Sequence, residues 1–377
     1  MITSFELAMA TDGISKGNKI KGGNSEGVYQ LLCELMQMEP AETNLIQKSE
    51  ELFRYCSGGL ETDSAKLLAI IFLKALNRKM ESDVISENIY QSISGVSQIE
   101  LFDILIAKFP FVKYSQQLVN DSIVRDMMNQ KVVTLIDIGI GLGTQMMHVI
   151  EKAKSLPTLE KLIVVGLEPF PDALSAAENN INELKKSVDF QLEFVPVLDY
   201  AEKFDFASLD CIEGCVIINA SLALHHIKTM DERKATLQNM GELHPTSVYM
   251  IEPNVNHYEP DFYSRFKNSW NHFYALFQVI DKLDITNEQK NGLKLFFGRE
   301  IEDIIGKQEE DRFEKHMLAT EWIQLLKTTN YKIQNSMLES PFTAKPGVQI
   351  APQPEGYIGF TFENETALAL IHAGKSF

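Results

Sequence analysis

The chain has 377 residues, of which 45% are hydrophobic and 23% are charged, so it can form one large core or two modest domains. Asp and Glu number 52 against 35 Lys and Arg, which leaves a formal net charge of −17 at pH 7. This charge repels phosphate backbones and anionic membrane surfaces, so we expect no nucleic-acid and no membrane partner. The four cysteines form no C-x-x-C pair, and the apolar runs are too short to cross a bilayer. We therefore predict a soluble protein of the cytoplasm.

The first part of the chain is predicted to be helical. Residues 1–25 are expected to form a flexible N-terminus, since Gly, Lys and Ser dominate residues 11–25. Across residues 26–130, apolar side chains recur at the spacing of helices that bury one face. Phe109 precedes a proline, which disfavours helical backbone at that residue, so we expect a break there. We interpret residues 26–130 as the first part of a helical cap.

Strands and helices alternate from residue 131 to residue 257. Short runs rich in β-branched residues lie at residues 131–139, 161–168, 191–197, 211–219 and 247–252. This pattern predicts buried strands separated by helices, and such alternation specifies a parallel sheet with right-handed crossovers. Residues 131–257 are therefore predicted to form a Rossmann-like core.

Residues 258–306 interrupt this alternation with a helical insertion rich in aromatic residues, which we interpret as the second part of the cap. Strand character returns at residues 331–338, 355–362 and 366–372. Glu363–Glu365 is typical of a hairpin turn, and residues 307–377 are predicted to complete the core sheet. The predicted fold class is α/β, with a doubly wound, mostly parallel Rossmann-like sheet under a discontinuous helical cap.

The most informative stretch, LIDIGIGLGT, lies at the end of the first predicted strand and contains Asp137, Gly139, Gly141 and Gly143. Glycines at a strand end let the backbone approach a ligand closely and open the next helix. A dinucleotide fingerprint, G-x-G-x-x-G, requires its third glycine at the position of Thr144. The spacing D-x-G-x-G-x-G instead resembles the first motif of Rossmann-fold methyltransferases that use S-adenosylmethionine. In those enzymes the acidic residue and the glycines position the amino-acid part of the cofactor.

Further polar residues lie at the ends of the next strands. Glu168 ends the second strand, where a carboxylate can accept both ribose hydroxyl protons. Asp199 and Tyr200 follow the third strand and, by resemblance to the same enzymes, would contact the adenine. Asn219 ends the fourth strand. We assign all four to cofactor binding beside the glycine loop, and their chance occurrence on a doubly wound sheet is the alternative.

Three histidines are expected near the cofactor sulfonium. His225 and His226 follow the fourth strand, and His257 follows the fifth. Because His225 and His226 are neighbours, we expect at most one of them to face the cleft. A hydroxyl or amine acceptor would benefit from such a base, whereas a carboxylate acceptor would need none. A hydrogen-bonded structural role is the alternative for each histidine, and we predict no metal site.

Much of the chain resembles the GRAS family, which is best known as plant transcriptional regulators and is also represented in bacteria. VTLID, residues 133–137, resembles the VHIID motif of that family, and VIINASLALHHI, residues 216–227, resembles its second leucine-rich region. The trio Arg312, Glu314 and His316 resembles part of a later motif. Together these segments identify the chain as similar to a GRAS protein.

This resemblance implies a methyltransferase-type core under a helical cap. Plant members usually replace the loop glycines with bulkier residues, so a chain that keeps them is expected to retain S-adenosylmethionine as a cofactor. The acceptor would be a small, partly apolar molecule bound under the cap. The candidate substrate-binding residues are Tyr114, Asn120, Glu252, Arg265 and Trp270.

Three functions stay open. The first is an S-adenosylmethionine-dependent methyltransferase that acts on such an acceptor. The second is a GRAS-type binding, scaffold or regulatory protein that keeps the fold without catalysis. The third, a nicotinamide dehydrogenase, is disfavoured by the glycine spacing. A protein partner and a homodimer are compatible with each of these functions.

Overall fold

A computed structural model describes residues 25–38, 44–58, 63–80, 96–334 and 337–375 of the chain. The predicted flexible N-terminus lies outside the described residues up to position 24. None of the described helices combines the length and the apolar character that a membrane span requires.

The described α-helices are α1 (Ser25–Met36), α2 (Leu45–Ser57), α3 (Ser64–Lys79), α4 (Gln98–Lys108), α5 (Pro110–Met127), α6 (Thr144–Ala153), α7 (Pro171–Leu184), α8 (Met230–Gly241), α9 (Phe262–Asp281), α10 (Asn287–Gly306) and α11 (Ala319–Thr328). The strands are β1 (Val132–Ile138), β2 (Lys161–Leu167), β3 (Gln191–Val197), β4 (Cys215–Ser221), β5 (Ser247–Pro253), β6 (Tyr331–Ile333), β7 (Phe342–Ala344), β8 (Val348–Pro352), β9 (Ile358–Phe362) and β10 (Glu365–Lys375).

The described strands join in one sheet, in the order β3-β2-β1-β4-β5-β10-β9-β8-β7, with β6 paired to β10. Strands β1 to β5 are parallel to their neighbours within this group. The strand order reverses between β1 and β4, and ligands of open α/β sheets bind in the crevice at this switch point. The register aligns Asp137 of β1 with Asn219 of β4 there. The predicted doubly wound, mostly parallel Rossmann-like sheet is confirmed.

Strand β1 is buried on both faces of the sheet. Val133 and Leu135 belong to an apolar core that also contains side chains of α5 and α6. Ile136 and Ile138 belong to the opposite core, which contains side chains of α8 and α11. Burial on both faces explains why β1 reads as a continuous apolar run rather than as an alternating one.

Two strand predictions need correction. The fourth strand begins at Cys215 rather than at residue 211, because Gly214 has a φ of 67° and breaks the extended backbone immediately before it. The strand predicted at residues 331–338 is described as a strand only over Tyr331–Ile333.

The antiparallel part of the sheet is built around β10. This strand pairs with β5 on one side and with β9 on the other. The predicted hairpin turn is confirmed, since Glu365 at the start of β10 pairs with Phe362 at the end of β9. Strands β7 and β8, which the sequence pattern did not predict, continue the sheet beyond β9.

Helix α3 is central to the helical cap and packs against α1, α2, α9 and α10. The ring of Phe72 on α3 meets that of Phe266 on α9 edge-on, with centroids 5.2 Å apart. A Cβ atom at Gly306 of α10 would lie 3.0 Å from the carbonyl oxygen of Ala75 on α3, so the two backbones approach closely. Segments from before and after the Rossmann-like core are therefore in contact, while the predicted domain boundaries stay a prediction.

The predicted helix break is confirmed at Phe109, between α4 and α5. Its backbone is extended, with φ −81° and ψ 114°, and Pro110 begins the next helix.

Candidate functional site

The glycine loop follows β1 and leads into α6. Gly139 and Gly141 have φ angles of 74° and 55°, a left-handed backbone that strains residues with a Cβ atom. A Cβ at Gly139 would lie 2.8 Å from the Cβ of Ala223, so this position packs against the segment after β4. A Cβ at Gly141 would have no atom within 4 Å. The loop therefore presents an open face at Gly141.

Glu168, predicted to bind the ribose, folds back onto this loop. Its Oε2 accepts a hydrogen bond from the Gly141 N–H at 3.0 Å, and its Oε1 accepts one from the Phe170 N–H at 3.2 Å. The residue is 6% exposed. Glu168 thus lies beside the glycine loop, where a ligand hydroxyl would share or replace these backbone donors, and its role at the ribose stays a prediction.

A buried polar network connects the end of β1 to helix α5. The amide of Asn219 donates to Asp137 Oδ1 at 2.6 Å and contacts Gln145 Oε1 at 3.5 Å. Gln145 on α6 donates in turn to Asn120 Oδ1 at 3.0 Å. Asn120, predicted to bind the substrate, therefore lies in the same network as the cofactor-binding candidates.

Burial raises the pKa of Asp137 to about 7; the hydrogen bond from Asn219 opposes this effect and the nearby Glu168 adds to it. This carboxyl is therefore close to half protonated at neutral pH.

Asp199 and Tyr200 lie just beyond the end of β3. Asp199 Oδ1 accepts a hydrogen bond from the Tyr200 N–H at 2.8 Å, and the Tyr200 ring is largely exposed. The ammonium group of Lys203 lies 4.5 Å from the centroid of that ring. Both residues are free to meet a ligand, and their role at the adenine stays a prediction.

His225 is fixed by Glu252 rather than open to a substrate. Its Nδ1 lies 2.6 Å from Glu252 Oε2, and Glu252 Oε1 accepts a hydrogen bond from the Leu224 N–H at 2.9 Å. His225 is 5% exposed. Glu252, predicted to bind the substrate, thus orients the segment after β4.

His257 belongs to the same cluster of histidines. Its Nδ1 lies 3.0 Å from Nδ1 of His316, whose Nε2 lies 3.0 Å from Glu314 Oε2. His225 Nε2 is 3.5 Å from the same oxygen, and Nδ1 of the half-exposed His226 is 3.7 Å from Glu314 Oε1. We call His225, His226, His257, His316, Glu252 and Glu314 the histidine cluster.

Burial sets the charge state of this cluster. It lowers the pKa of His225 to about 3 and that of His257 well below its ordinary value. Burial alone would raise the pKa of Glu314, but the hydrogen bond with His316 and the proximity of His225 bring it down to about 2. At neutral pH His225 and His257 are therefore neutral, and Glu314 is a carboxylate.

No role was predicted for Glu314 and His316, although both belong to the trio of Arg312, Glu314 and His316 in the family resemblance. Their one-residue separation is not a recognised metal spacing, and His225 lies far away in the chain. In the structure, His225, Glu314 and His316 each offer one ligand atom, and these atoms lie within 4.8 Å of one another. Among the described residues, these three form the group whose geometry could hold a metal ion, while the absence of a metal site stays a prediction.

The remaining substrate candidates lie in packed positions. Trp270 on α9 is 4% exposed, and its ring stacks on that of Tyr29 with centroids 5.2 Å apart. Arg265 donates to the Glu259 carbonyl oxygen at 2.6 Å and is also buried. Tyr114 on α5 packs edge-on against Phe342. The structure does not bring these side chains to the glycine loop through any described contact, and their substrate role stays a prediction.

The chain is similar to a family model, to curated proteins and to solved structures. The model of the GRAS domain family matches residues 38–356. The Scarecrow-like transcription factor PAT1 of Arabidopsis thaliana is 24% identical over 310 aligned residues, and the match covers 78% of this chain and 60% of that protein. The chain thus spans less than two thirds of the length of this relative.

One solved structure shows the likeness in fold, and a second is a more distant match. SCL7 of Oryza sativa has a TM-score of 0.74 at 18% identity and covers 92% of this chain and 99% of that chain. The plantazolicin methyltransferase BpumL in complex with SAH has a TM-score of 0.38 at 12% identity, with 82% of this chain and 98% of that chain covered. Because the family model covers most of the sequence, the chain belongs to the GRAS domain family.

Proposed function

We propose that the protein is a GRAS-type binding and regulatory protein that keeps the methyltransferase fold and binds S-adenosylmethionine at its glycine loop. The observation that carries this proposal is the loop itself, in which Gly141 keeps a left-handed backbone with an open face. The carboxylate of Glu168 accepts a hydrogen bond from the Gly141 N–H, and Asp137 lies two residues before the first glycine of the loop. Carboxylates attract the positive charges of S-adenosylmethionine and repel the pyrophosphate of a dinucleotide.

The histidine cluster favours binding over acid–base catalysis. A general base works best when its pKa lies near the working pH, whereas burial holds the pKa of His225 at about 3. The pKa of the half-exposed His226 is lowered to about 4, first by His225 and then by burial. His225 and His257 are also engaged by protein partners, Glu252 and His316. None of the three predicted bases is therefore well suited to accept a proton at neutral pH.

Calorimetric titration of the full chain with S-adenosylmethionine tests the proposal. We expect micromolar binding, and we expect Gly141→Arg to abolish it, because the new side chain occupies the open face of the loop. Gly27→Arg is the matched control, since Gly27 on α1 is exposed and a Cβ there would meet no atom within 4 Å. Lack of binding by the wild-type chain at millimolar ligand would contradict the proposal.

The same samples separate the rival functions. Formation of S-adenosylhomocysteine with a small, partly apolar acceptor would favour the methyltransferase, in which proximity and a dry cleft do most of the work. Thermal stabilisation by NAD but not by S-adenosylmethionine would favour the dehydrogenase.

A regulatory role requires a protein partner rather than a small-molecule acceptor. PAT1 is by name a transcription factor, and the match covers only 60% of its length. We place this chain in the cytoplasm as part of the proposal, and fluorescence microscopy of a tagged chain distinguishes that compartment from the nucleus. Light scattering of the purified chain tests the homodimer.

A further inference from the structure

We propose that His225, Glu314 and His316 bind a divalent transition-metal ion, for which zinc is the best match. The site joins the segment after β4 to the segment that precedes α11. It is independent of the ligand at the glycine loop, so either proposal can fail alone.

The three ligand atoms have the spacing of a coordination sphere. Glu314 Oε2 lies 3.5 Å from His225 Nε2 and 3.0 Å from His316 Nε2. Metal–ligand bonds of about 2.0–2.1 Å at tetrahedral angles place neighbouring ligand atoms about 3.4 Å apart. Two imidazoles and one carboxylate are also a ligand set that zinc uses in proteins, with a fourth position for water. The two distances to Glu314 lie near this value, and all three ligand atoms lie within 4.8 Å of one another, so the side chains would close further around a bound zinc ion.

The second nitrogen of each histidine has the partner that a metal ligand needs. His225 presents Nε2 to the site, and its Nδ1 contacts the carboxylate of Glu252 at 2.6 Å. His316 presents Nε2, and its Nδ1 contacts His257 at 3.0 Å. Metal-bound histidines generally use their other nitrogen in this way, which fixes the ring and the tautomer. A purely structural pair of histidines does not require both rings to point the same nitrogen at one oxygen.

Two buried arginines hold the ligand segments together before any ion binds. Arg233 Nη2 donates to the carbonyl oxygens of His225 and Lys315, at 2.8 Å and 2.7 Å. Arg312 Nη2 donates to the carbonyl oxygen of His257. The backbones on both sides of the site are thus joined by hydrogen bonds, so little further ordering is needed when a metal binds.

The charges and the access also suit a cation. The site offers two imidazole nitrogens and one carboxyl group, and Glu314 lies within ion-pair distance of three imidazole rings, so a cation would find a negative partner there. The half-exposed His226, 3.7 Å from Glu314 Oε1, lies at the outer edge of the site. An ion can therefore enter past His226 and would balance a carboxylate that is largely buried.

Zinc titration of the full chain, stripped with a chelator, tests the site. We expect one zinc per chain by elemental analysis, and a higher unfolding temperature with zinc than with magnesium as the probe. Cobalt is expected to give the visible absorption of a four-coordinate site. A wild-type chain that binds no zinc at micromolar concentrations would overturn the proposal, and the cluster would then be a hydrogen-bonded one only.

Variants locate the ion if it binds. Glu314→Gln keeps the shape and removes the charge, and we expect it to weaken zinc binding by more than about 100-fold, as His316→Gln should. Glu252→Gln acts through His225 and should weaken binding by about 10–100-fold. His148→Gln is the control, because His148 is exposed on α6. Unchanged zinc affinity in folded Glu314→Gln would place the ion elsewhere and overturn the assignment.

Discussion

At the scale of single residues, Asp137 is a buried ionisable group whose protonation depends on folding. It lies at the switch point of the sheet, and its Oδ1 accepts a hydrogen bond from Asn219 at 2.6 Å. Burial raises its pKa to about 7, so the native state keeps a proton that the unfolded chain releases at lower pH. Native stability from this group is therefore present at low pH and is lost as the pH rises from about 4 to 7.

We expect Asp137→Asn to remove this pH dependence. The asparagine keeps an oxygen acceptor for Asn219 but cannot ionise, so the stability of the variant relative to the wild type should increase with pH. The increase should reach up to about 4 kcal/mol between pH 4 and pH 8, as measured by urea unfolding. A stability difference that is the same at both pH values would contradict the raised pKa.

Asn120→Ala provides the control for this experiment. It breaks the hydrogen bond with Gln145 in the same buried network but removes no ionisable group. We expect a loss of about 1–3 kcal/mol that is similar at each pH.

Residues that directly follow strands could be placed from the sequence, and others could not. Asp137, Gly141 and Glu168 each lie at the carboxyl end of a parallel strand, and such ends meet at one edge of the sheet. Glu314 and His316 lie in an irregular segment, where no periodicity indicates which way a side chain points. Only the tertiary structure brings them to His225.

At the scale of elements, two helices of the helical cap differ at their N-termini in whether a side chain accepts hydrogen bonds from the first N–H groups. Asp63 precedes α3, and its carboxylate accepts hydrogen bonds from the N–H groups of Ala65 and Lys66 at 3.0 Å and 3.3 Å. Asn44 precedes α2, and its side chain makes no capping hydrogen bond. Two residues of preferred capping type thus occupy the same position with different contacts.

We predict that Asp63→Ala destabilises the protein by about 1 kcal/mol, because two N–H groups at the start of α3 lose their acceptor. Asn44→Ala should change the free energy of unfolding by only a few tenths of a kcal/mol, since no such bond is lost. Urea unfolding of the two variants beside the wild type measures both. Equal losses would show that α3 does not depend on this cap.

How clearly the sequence predicts a strand depends on how deeply the strand is buried. Strands buried on both faces, such as β1 and β2, are apolar throughout and stand out in the sequence. Strands β7 and β8 are short and lie at the edge of the sheet, and each contains exposed as well as buried residues. Strand β7 pairs with β8, and β8 pairs with β9, so both depend on their neighbours in the sheet rather than on a pattern that the sequence shows locally.

At the scale of the whole molecule, the net charge of −17 disfavours nucleic acids as binding partners. Proteins that bind DNA neutralise phosphates with Lys and Arg, and here acidic residues exceed basic ones. The regulatory role proposed above therefore requires protein contacts rather than direct contact with DNA.

We expect no binding to duplex DNA tighter than about 10⁻⁴ M at physiological salt, as measured by fluorescence anisotropy with a labelled duplex. The full chain should be used, because the charge belongs to the whole surface. Affinity near 1 μM that falls steeply with added salt would show instead a basic patch that outweighs the net charge.

The position of β10 also imposes an order on the folding of the chain during synthesis. Strand β5 is made before β10, but the edge that β5 leaves free can be covered only by β10, which is made after every other described strand. At usual rates of translation this leaves the edge unpaired for a time on the order of ten seconds. An open strand edge can pair with other chains, so the half-made protein is expected to be more prone to aggregation than the finished one.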